Sequence, residues 1–198
     1  MSLNSFAILP LVSRILVALG WVAFFAFLFF QKRAPGEKET KRDSASKVGI
    51  VLQMVGYALV WMLQRHLPLR TEPLPAWEVI EDVLAPVLSV VSAWFGLTAV
   101  RTLGKQWSYT ARVVEGHQLV TQGPYQIVRH PIYTGMFGKL LATNFAFGHW
   151  IGLVTAAPIF MIGTMIRIRA EEKLLQETFG EHYVDYARRV KSFIPLIA

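Results

Sequence analysis

The chain has 198 residues, of which 54% are hydrophobic and 17% charged, and its mean hydropathy is +0.41. This balance excludes a soluble globular domain, because the apolar residues exceed what one soluble core needs. The net charge of +7 would suggest a nucleic-acid partner for a soluble protein. In a membrane protein, the distribution of the basic residues among the loops indicates instead how the spans are oriented. The absence of cysteine excludes disulfides, thiolate catalysis, iron–sulfur clusters and cysteine-ligated zinc.

Apolar stretches in the first half of the chain predict three membrane spans, at about residues 9–30, 48–67 and 83–103. Each is close to the roughly 20 helical residues that a bilayer core requires. A cleaved signal peptide is the alternative for the first stretch. The lack of Lys or Arg before Arg14, and of a small-residue cleavage site ahead of Lys32, speaks against it. Pro86 is expected in the first turn of the third span, where its missing N–H does least damage.

The apolar run from Ile132 to Ile166 fits either one overlong helix or a hairpin that turns at Gly148-His149-Trp150. Charge bias favours the hairpin, with spans at about 132–147 and 150–168, because a single helix would export the six basic residues of the tail. With five spans and the N-terminus outside, 16 of the 20 basic residues lie on the inner side, in loops or the tail. The sequence thus predicts an all-α, polytopic membrane protein with a cytosolic C-terminus, forming a single membrane domain over 1–198.

Polar residues gather in two stretches on the predicted inner side, 104–133 and 167–172. After them, the apolar period of residues 169–190 indicates an amphipathic helix broken near Gly180. A long ordered loop between spans is more often functional than connective. Each polar residue alone has an ordinary reading: Arg129, Arg167 and Arg169 as membrane anchors, Glu171 and Glu172 as surface acids, and Lys139 as a snorkelling side chain. Their joint occurrence favours a binding site.

That joint occurrence has a recognisable form. The sequence GHQLVTQGPY of residues 116–125, VRHPIYTG of 128–135, and Arg167 with the following EExLL of 171–175 resemble the cofactor-binding region of the isoprenylcysteine carboxyl methyltransferase family. LGxxWS at 103–108, FGExYxxY at 179–186 and FIP at 193–195 are also similar to the family. The resemblance covers about residues 95 to 195, half of the chain, in the family's order and spacing.

The resemblance implies an integral membrane methyltransferase that binds S-adenosylmethionine at the cytosolic face and releases S-adenosylhomocysteine. Its cofactor-binding region would be about 104–133 plus 167–195, and Arg167 would orient the substrate. An acid near the cofactor's ammonium, apolar residues around adenine and an aromatic ring near the sulfonium are compatible with that chemistry. The implied cofactor-binding residues are His117, Gln118, Leu119, Val120, Tyr125, Arg129, His130, Pro131, Ile132, Tyr133, Glu171 and Glu172.

The expected partner is a lipophilic or lipidated acceptor that enters from the bilayer, with membrane lipids around it and no nucleic acid or metal. A carboxylate of the isoprenylcysteine type is already a nucleophile at neutral pH, and an arginine can orient it through two donors. A phospholipid amine or a thiol is the alternative acceptor and would need a base, for which His130 or a tyrosine is the candidate.

Two other classes of protein remain alternatives. One is an NADPH-dependent reductase related to sterol reductases, against which the short N-terminal half speaks. The other is a non-enzymatic transporter or scaffold, although proton-coupled transport usually needs an acid within the bilayer and all 13 Asp and Glu residues lie outside the predicted spans or at their edges. The five histidines include no pair at i, i+4, so a zinc site is not expected.

Overall fold

The computed structural model describes residues 8–30, 39–65 and 75–193. The predicted loop 31–47, the predicted end of the second span and the final FIP motif lie partly outside these ranges. The described part is dominated by helices, which confirms the predicted all-α polytopic class. Its elements are α1 Ile8–Phe30, β1 Glu39–Arg42, α2 Ala45–Met62, α3 Ala76–Leu103, β2 Arg112–Val114, α4 Pro131–Phe147, α5 Trp150–Phe179 and α6 Glu181–Arg189.

Four of the described helices, α1, α2, α3 and α5, are long and apolar enough to cross a membrane. α4 has 17 residues, which extend about 25 Å and fall short of a bilayer core of about 30 Å. α4 and α5 are joined by Gly148 and His149 alone, at the turn that the charge bias predicts. Whether α4 counts as a fifth span stays a prediction.

The helices pack as two main pairs, α2 with α5 and α3 with α4. α1 packs mainly against α3, and α4 also contacts α2 and α5. The α2–α5 contact depends on two glycines that bring the backbones together: a Cβ atom on Gly163 would lie 2.7 Å from the carbonyl oxygen of Gly49 and 3.0 Å from the backbone nitrogen of Gln53. Small residues allow such an approach where side-chain packing drives helix association within lipid.

Two helices differ from the sequence-based expectation. α3 begins at Ala76, so Pro86 lies inside the helix rather than in its first turn. The earlier start reflects Glu81 and Asp82, which are charged but pair with Arg65 and therefore do not end the helix. Residues 169–179 continue α5 instead of starting a separate helix. The predicted break near Gly180 is confirmed, since its φ of +52° ends α5 in a conformation that glycine adopts readily.

A buried ion cluster closes the end of the bundle that holds the α4–α5 turn. Arg65 pairs with Glu81 at 3.0 Å and with Asp82 at 3.1 Å, and Asp82 is only 1% exposed. Arg14, the one charge within α1, donates to the carbonyl oxygens of Arg65 at 2.8 Å and Ala146 at 3.0 Å. Arginine side chains thereby satisfy carbonyls at the C-terminal end of α4, where a helix leaves acceptors unpaired.

The expectation that Lys139 snorkels is wrong. Its side chain is fully buried among α1, α3 and α4. The ammonium donates to Ser89 Oγ at 2.8 Å and lies 4.6 Å from the ring centre of Trp21. A hydroxyl and an aromatic face inside the bundle replace the water that a snorkelling lysine would reach.

Candidate functional site

The loop between α3 and α4 is anchored by a short antiparallel sheet that the sequence analysis did not predict. β2 lies within this loop and pairs with β1, which precedes α2. The backbone N–H of Ala111 donates to Ser46 Oγ at 3.2 Å, and the side chains of Ala111 and Val113 pack against Ala170 and Leu174 of α5. The loop is therefore held between the start of α2 and the end of α5.

The segment after α6 binds the second half of the same loop. The backbone N–H groups of Arg129 and His130 donate to the carbonyl oxygens of Lys191 at 2.8 Å and Ser192 at 2.9 Å. Phe193 is 3% exposed and packs with Tyr133 and Ile168. We call residues 190–193 the C-terminal strap, because they fix the residues immediately before α4.

Glu172 joins the loop, the strap and α5. One oxygen, Oε1, accepts from Arg129 Nη2 at 2.8 Å and Nε at 3.0 Å, and lies 3.1 Å from His130 Nε2. Arg129 also donates to the carbonyl oxygens of Ala187 at 2.9 Å and Val190 at 2.5 Å. Arg129 thus links α5, α6 and the C-terminal strap, rather than serving as a membrane anchor.

His130 is held between two carboxylates. Its Nδ1 lies 3.5 Å from Glu171 and its Nε2 lies 3.1 Å from Glu172. Burial by itself disfavours the imidazolium, but the hydrogen bonds and negative charge of the two glutamates outweigh it and raise the pKa of His130 above its usual value. Folding therefore favours the protonated ring, and both ring nitrogens face carboxylates.

Burial also raises the pKa of Tyr125 well above its usual range, with the charge of Glu171 as a further cause. The backbone of Tyr125 is fixed by Tyr186, whose hydroxyl donates to the Tyr125 carbonyl oxygen at 2.7 Å. Tyr125 is therefore an aromatic surface that stays neutral at physiological pH, on a backbone that Tyr186 holds.

Tyr133 lies between the acid and the arginine of the site. Its hydroxyl donates to Glu171 Oε1. The guanidinium of Arg167 lies 4.8 Å from the centre of the Tyr133 ring, close enough for a cation–π interaction. Tyr133 thus contacts both the carboxylate of Glu171 and the guanidinium of Arg167.

Arg167 is 7% exposed and is held by neutral groups. Nη1 donates to Gln53 Oε1 at 2.8 Å and Nη2 donates to the Tyr109 carbonyl oxygen at 2.6 Å. The ion pairs found in the described ranges do not include Arg167. Its Nε is buried and has no hydrogen-bond partner among the described residues. The structure therefore holds a buried cation with spare donor capacity.

A cavity of about 690 Å³ adjoins these groups. Its polar part is lined by Gln106, Ser108, His117, Arg129, His130, Tyr133, Arg167 and Glu171. Its apolar part, which we call the lipid arm, is lined by Trp21, Phe24, Phe25, Leu28, Met54, Tyr57, Ala58 and Trp61. Gln53, beside Arg167, and Trp61, in the lipid arm, line the same cavity. They are eight residues apart on α2, so the cavity extends for about 12 Å along this helix. Met54, Ala58 and Trp61 are exposed, so the lipid arm opens sideways from the bundle.

The structure brings nine of the thirteen predicted site residues to this cavity. They are His117, Tyr125, Arg129, His130, Pro131, Ile132, Tyr133, Arg167 and Glu171. Gln118, Leu119, Val120 and Glu172 do not line it. Gln118 is exposed and its backbone N–H donates to Gln106 Oε1 at 2.6 Å, while Glu172 faces Arg129 and His130. The apolar wall expected from Leu119 and Val120 comes instead from Val113, Leu174 and Leu175, together with Pro131.

Several lining residues escaped the sequence analysis. Gln53 lies inside an apolar span, where one polar residue carries little signal until its neighbour is known. Val113 and Leu174 belong to separate stretches that only the pairing of the loop with α5 brings together. Within the described ranges, no group of three or more His, Asp or Glu residues could hold a metal ion.

Comparison with known proteins gives consistent results. The family profile of phospholipid methyltransferases matches residues 80–182. Protein-S-isoprenylcysteine O-methyltransferase B of Arabidopsis thaliana is 35% identical over 102 residues, which cover 50% of this chain and 52% of that protein. Protein-S-isoprenylcysteine O-methyltransferase of Schizosaccharomyces pombe is 38% identical over 81 residues, 41% of this chain and 34% of that protein. Methanethiol S-methyltransferase of Pseudomonas deceptionensis is 39% identical over 72 residues, 36% of this chain and 26% of that protein.

The chain spans about half the length, or less, of these three relatives. The two isoprenylcysteine enzymes confirm the resemblance stated from the motifs. The profile match includes most of α3, the loop between α3 and α4, and the whole of α4 and α5, and it begins after α1 and α2. The lipid arm and Gln53 therefore lie outside the matched region.

Proposed function

The chain belongs to the phospholipid methyltransferase family, and from this membership we propose that it is a membrane-embedded enzyme. It transfers a methyl group from S-adenosylmethionine to a lipophilic acceptor that carries a carboxylate, of the isoprenylcysteine type. The observation that carries the proposal is Arg167, a buried cation that forms no direct ion pair in the described ranges and lines the same cavity as the residues of the lipid arm.

The residues of the polar part fit the proposed cofactor. Glu171 offers a carboxylate to an ammonium group, and Tyr125 and Tyr133 offer neutral aromatic faces near a sulfonium. Val113, Leu174 and Leu175 offer apolar surface for an adenine ring. When bound, S-adenosylmethionine supplies a methyl group on a positively charged sulfur, which needs no metal and no covalent enzyme intermediate.

The chain's own part in the reaction is to bind, orient and exclude water. A methyl transfer of this kind is an in-line displacement, so its rate depends on alignment of the acceptor oxygen with the methyl carbon. Arg167 presents donors to a carboxylate from a fixed position, since Gln53, Tyr109 and Tyr133 hold three sides of the guanidinium. A carboxylate is ionised at neutral pH, so no base has to remove a proton from it.

An amine or thiol acceptor remains the alternative within the family, and the methanethiol enzyme among the relatives favours a thiol. Either acceptor would have to lose a proton. His130 is poorly suited to accept it, because both ring nitrogens face glutamates and its pKa is raised. Tyr125 stays neutral, because burial and the charge of Glu171 raise its pKa. The absence of a free base at these positions supports the carboxylate.

The remaining parts of the proposal concern the surroundings. The acceptor's apolar chain would enter from the bilayer through the lipid arm, with membrane lipids as the neighbouring partner and no role for metal or nucleic acid. The active site would face the cytosol and the N-terminus the outside, as the distribution of basic residues favours. Implied site residues outside the cavity, such as Glu172, would support the cofactor region indirectly.

The test is methylation of N-acetyl-S-farnesylcysteine with tritiated S-adenosylmethionine by the purified protein in lipid nanodiscs. We expect Arg167→Ala to abolish turnover and to leave binding of S-adenosylhomocysteine nearly unchanged. Glu171→Ala is expected to lose that binding. Arg169→Ala, an exposed arginine on the same helix, is the matched control and should behave as the wild type. Loss of both properties in Arg167→Ala, or of neither, would contradict the assigned role.

A further inference from the structure

Gln53 is a buried polar residue of α2 that directly contacts Arg167. It is 1% exposed, and its amide nitrogen donates to Thr164 Oγ1 at 2.9 Å while its amide oxygen accepts from Arg167 Nη1 at 2.8 Å. Arginine can only donate hydrogen bonds, so the amide must turn its oxygen toward Arg167 and its nitrogen toward Thr164. The orientation of Gln53 is therefore determined by its neighbours.

The close packing of α2 against α5 also fixes the position of Gln53. Gly49 and Gly163 allow α2 and α5 to approach closely, and Thr164 and Arg167 lie one turn apart on the facing side of α5. Gln53 lines the cavity next to Arg167. An acceptor group bound by Arg167 would thus meet a guanidinium already fixed from α2.

The chemical type of this partner matters because of charge. A glutamate has the length of glutamine and could accept the same hydrogen bond, but it would form a buried ion pair and neutralise Arg167. A glutamine satisfies the donor without adding a negative charge beside Arg167. The charge of Glu171, one turn away on α5, also acts on Arg167, but the two form no direct ion pair among the described residues. Inside a bundle of low polarity, a cation without a direct ion pair favours an anion over a neutral group of equal shape.

We propose that Gln53 is a specificity-determining residue. It positions Arg167 through a hydrogen bond and adds no negative charge beside it, so that the cavity stays selective for an anionic acceptor head group over its uncharged isostere. The inference builds on the proposed function, since it names what that site selects. It concerns binding, however, and can be measured without methyl transfer.

The experiment compares two probes of the same chain length and similar head-group shape, the anion dodecanoate and the uncharged dodecanamide. Each competes against tritiated dodecanoate for the protein in nanodiscs, in the presence of S-adenosylhomocysteine. The preference is the ratio of the two inhibition constants. Partition into lipid affects that ratio equally for every variant, so the wild type and variants can be compared directly.

We expect the wild type to prefer the anion, and Gln53→Glu to reduce that preference by about tenfold or more, the usual weight of a hydrogen bond to a charged group. Gln53→Met keeps the side-chain length but removes the hydrogen bond to Arg167 and adds no negative charge. This variant should therefore bind both probes more weakly and still prefer the anion. Gln176→Glu makes the same chemical change at an exposed position of α5 and should match the wild type.

Four results would overturn the proposal: no preference in the wild type, a full preference in Gln53→Glu, a loss of preference in Gln53→Met equal to that in Gln53→Glu, or the same loss in Gln176→Glu. If Gln53→Glu does not fold, Gln53→Met decides alone: binding of both probes as tight as in the wild type would show that Gln53 does not position Arg167, and would overturn the proposal. The proposed function fails separately, when the wild type prefers the anionic probe but methylates no carboxylate acceptor.

Discussion

Arg129 binds more segments than any anchoring role requires. Its guanidinium reaches Glu172 of α5, Ala187 of α6 and Val190 of the strap. We expect Arg129→Ala to lower the free energy of unfolding by about 3 kcal/mol, because two carbonyl oxygens lose a donor and Glu172 loses its ion pair, keeping only the contacts with His130 and Ser192 among those described. Thermal unfolding in detergent measures this. Arg188→Ala removes an arginine whose side chain is 72% exposed and should change stability by less than about 0.5 kcal/mol. Equal effects would contradict the assignment.

His130 gives the site a dependence on pH with a defined sign. Its pKa is raised in the folded protein, so the folded state binds a proton more tightly than the unfolded one. The resulting stabilisation is fully present below the unfolded pKa of about 6.5 and is lost as the pH rises through the higher folded pKa. The unfolding temperature should therefore fall on going from about pH 6 to about pH 9. His130→Gln should remove this component; an unchanged profile in that variant would exclude His130 as its origin.

For individual residues, the sequence predicted which side chains lie at the site better than it predicted what each of them contacts. His117, Tyr125, His130, Arg167 and Glu171, which the family resemblance implies, line the cavity. Each belongs to a short motif, and a short motif is readable from the sequence alone. Lys139 and Gln53 could not be assigned, since their partners Ser89 and Arg167 are 50 and 114 residues away. For both, the meaning of a polar residue in an apolar helix depends on which helix packs against it.

The C-terminal strap is the element on which the loop residues depend most. Phe193 fills a space between Tyr133 and Ile168, and its carbonyl oxygen accepts from Thr134 Oγ1 at 2.5 Å. We expect Phe193→Ala to cost about 3 kcal/mol of stability, the usual range for a buried phenylalanine, and to weaken binding of S-adenosylhomocysteine. Phe29→Ala changes a residue of α1 that is 83% exposed and serves as the control. Chemical unfolding and calorimetric titration would show whether the two variants differ.

Helix existence was more predictable than helix extent. Hydropathy located α1 and α2, because each contains a continuous apolar run, and charge bias located the α4–α5 turn. The sequence placed the start of α3 too late and treated the end of α5 as a separate helix. Charged residues mark a helix end only when water is their best partner, and Glu81 and Asp82 have Arg65 instead.

For the whole molecule, the charge bias predicts an orientation that the cysteine-free sequence makes easy to test. Single cysteines replace His149, at the α4–α5 turn, or Arg188, on α6, both of which are exposed. A maleimide that cannot cross membranes should label His149→Cys in intact cells and should label Arg188→Cys only after permeabilisation. Basic residues are retained on the cytoplasmic side during insertion, which is the reason for this expectation. The opposite labelling pattern would place the site outside.

The lipid arm has a consequence for how the protein should be handled. Trp21 of α1 and Tyr57 of α2 meet edge to face at 5.2 Å, but Phe25, Met54 and Trp61 beside them are exposed. On that side the boundary of the cavity is supplied by whatever surrounds the bundle. Acyl chains therefore act as a replaceable component of the binding site. In detergent, the open side of the lipid arm is covered by detergent molecules, so affinities measured there belong to a different binding site from the one in a bilayer. Under the proposed function, the thickness of the bilayer and the order of its acyl chains would affect which acceptor binds.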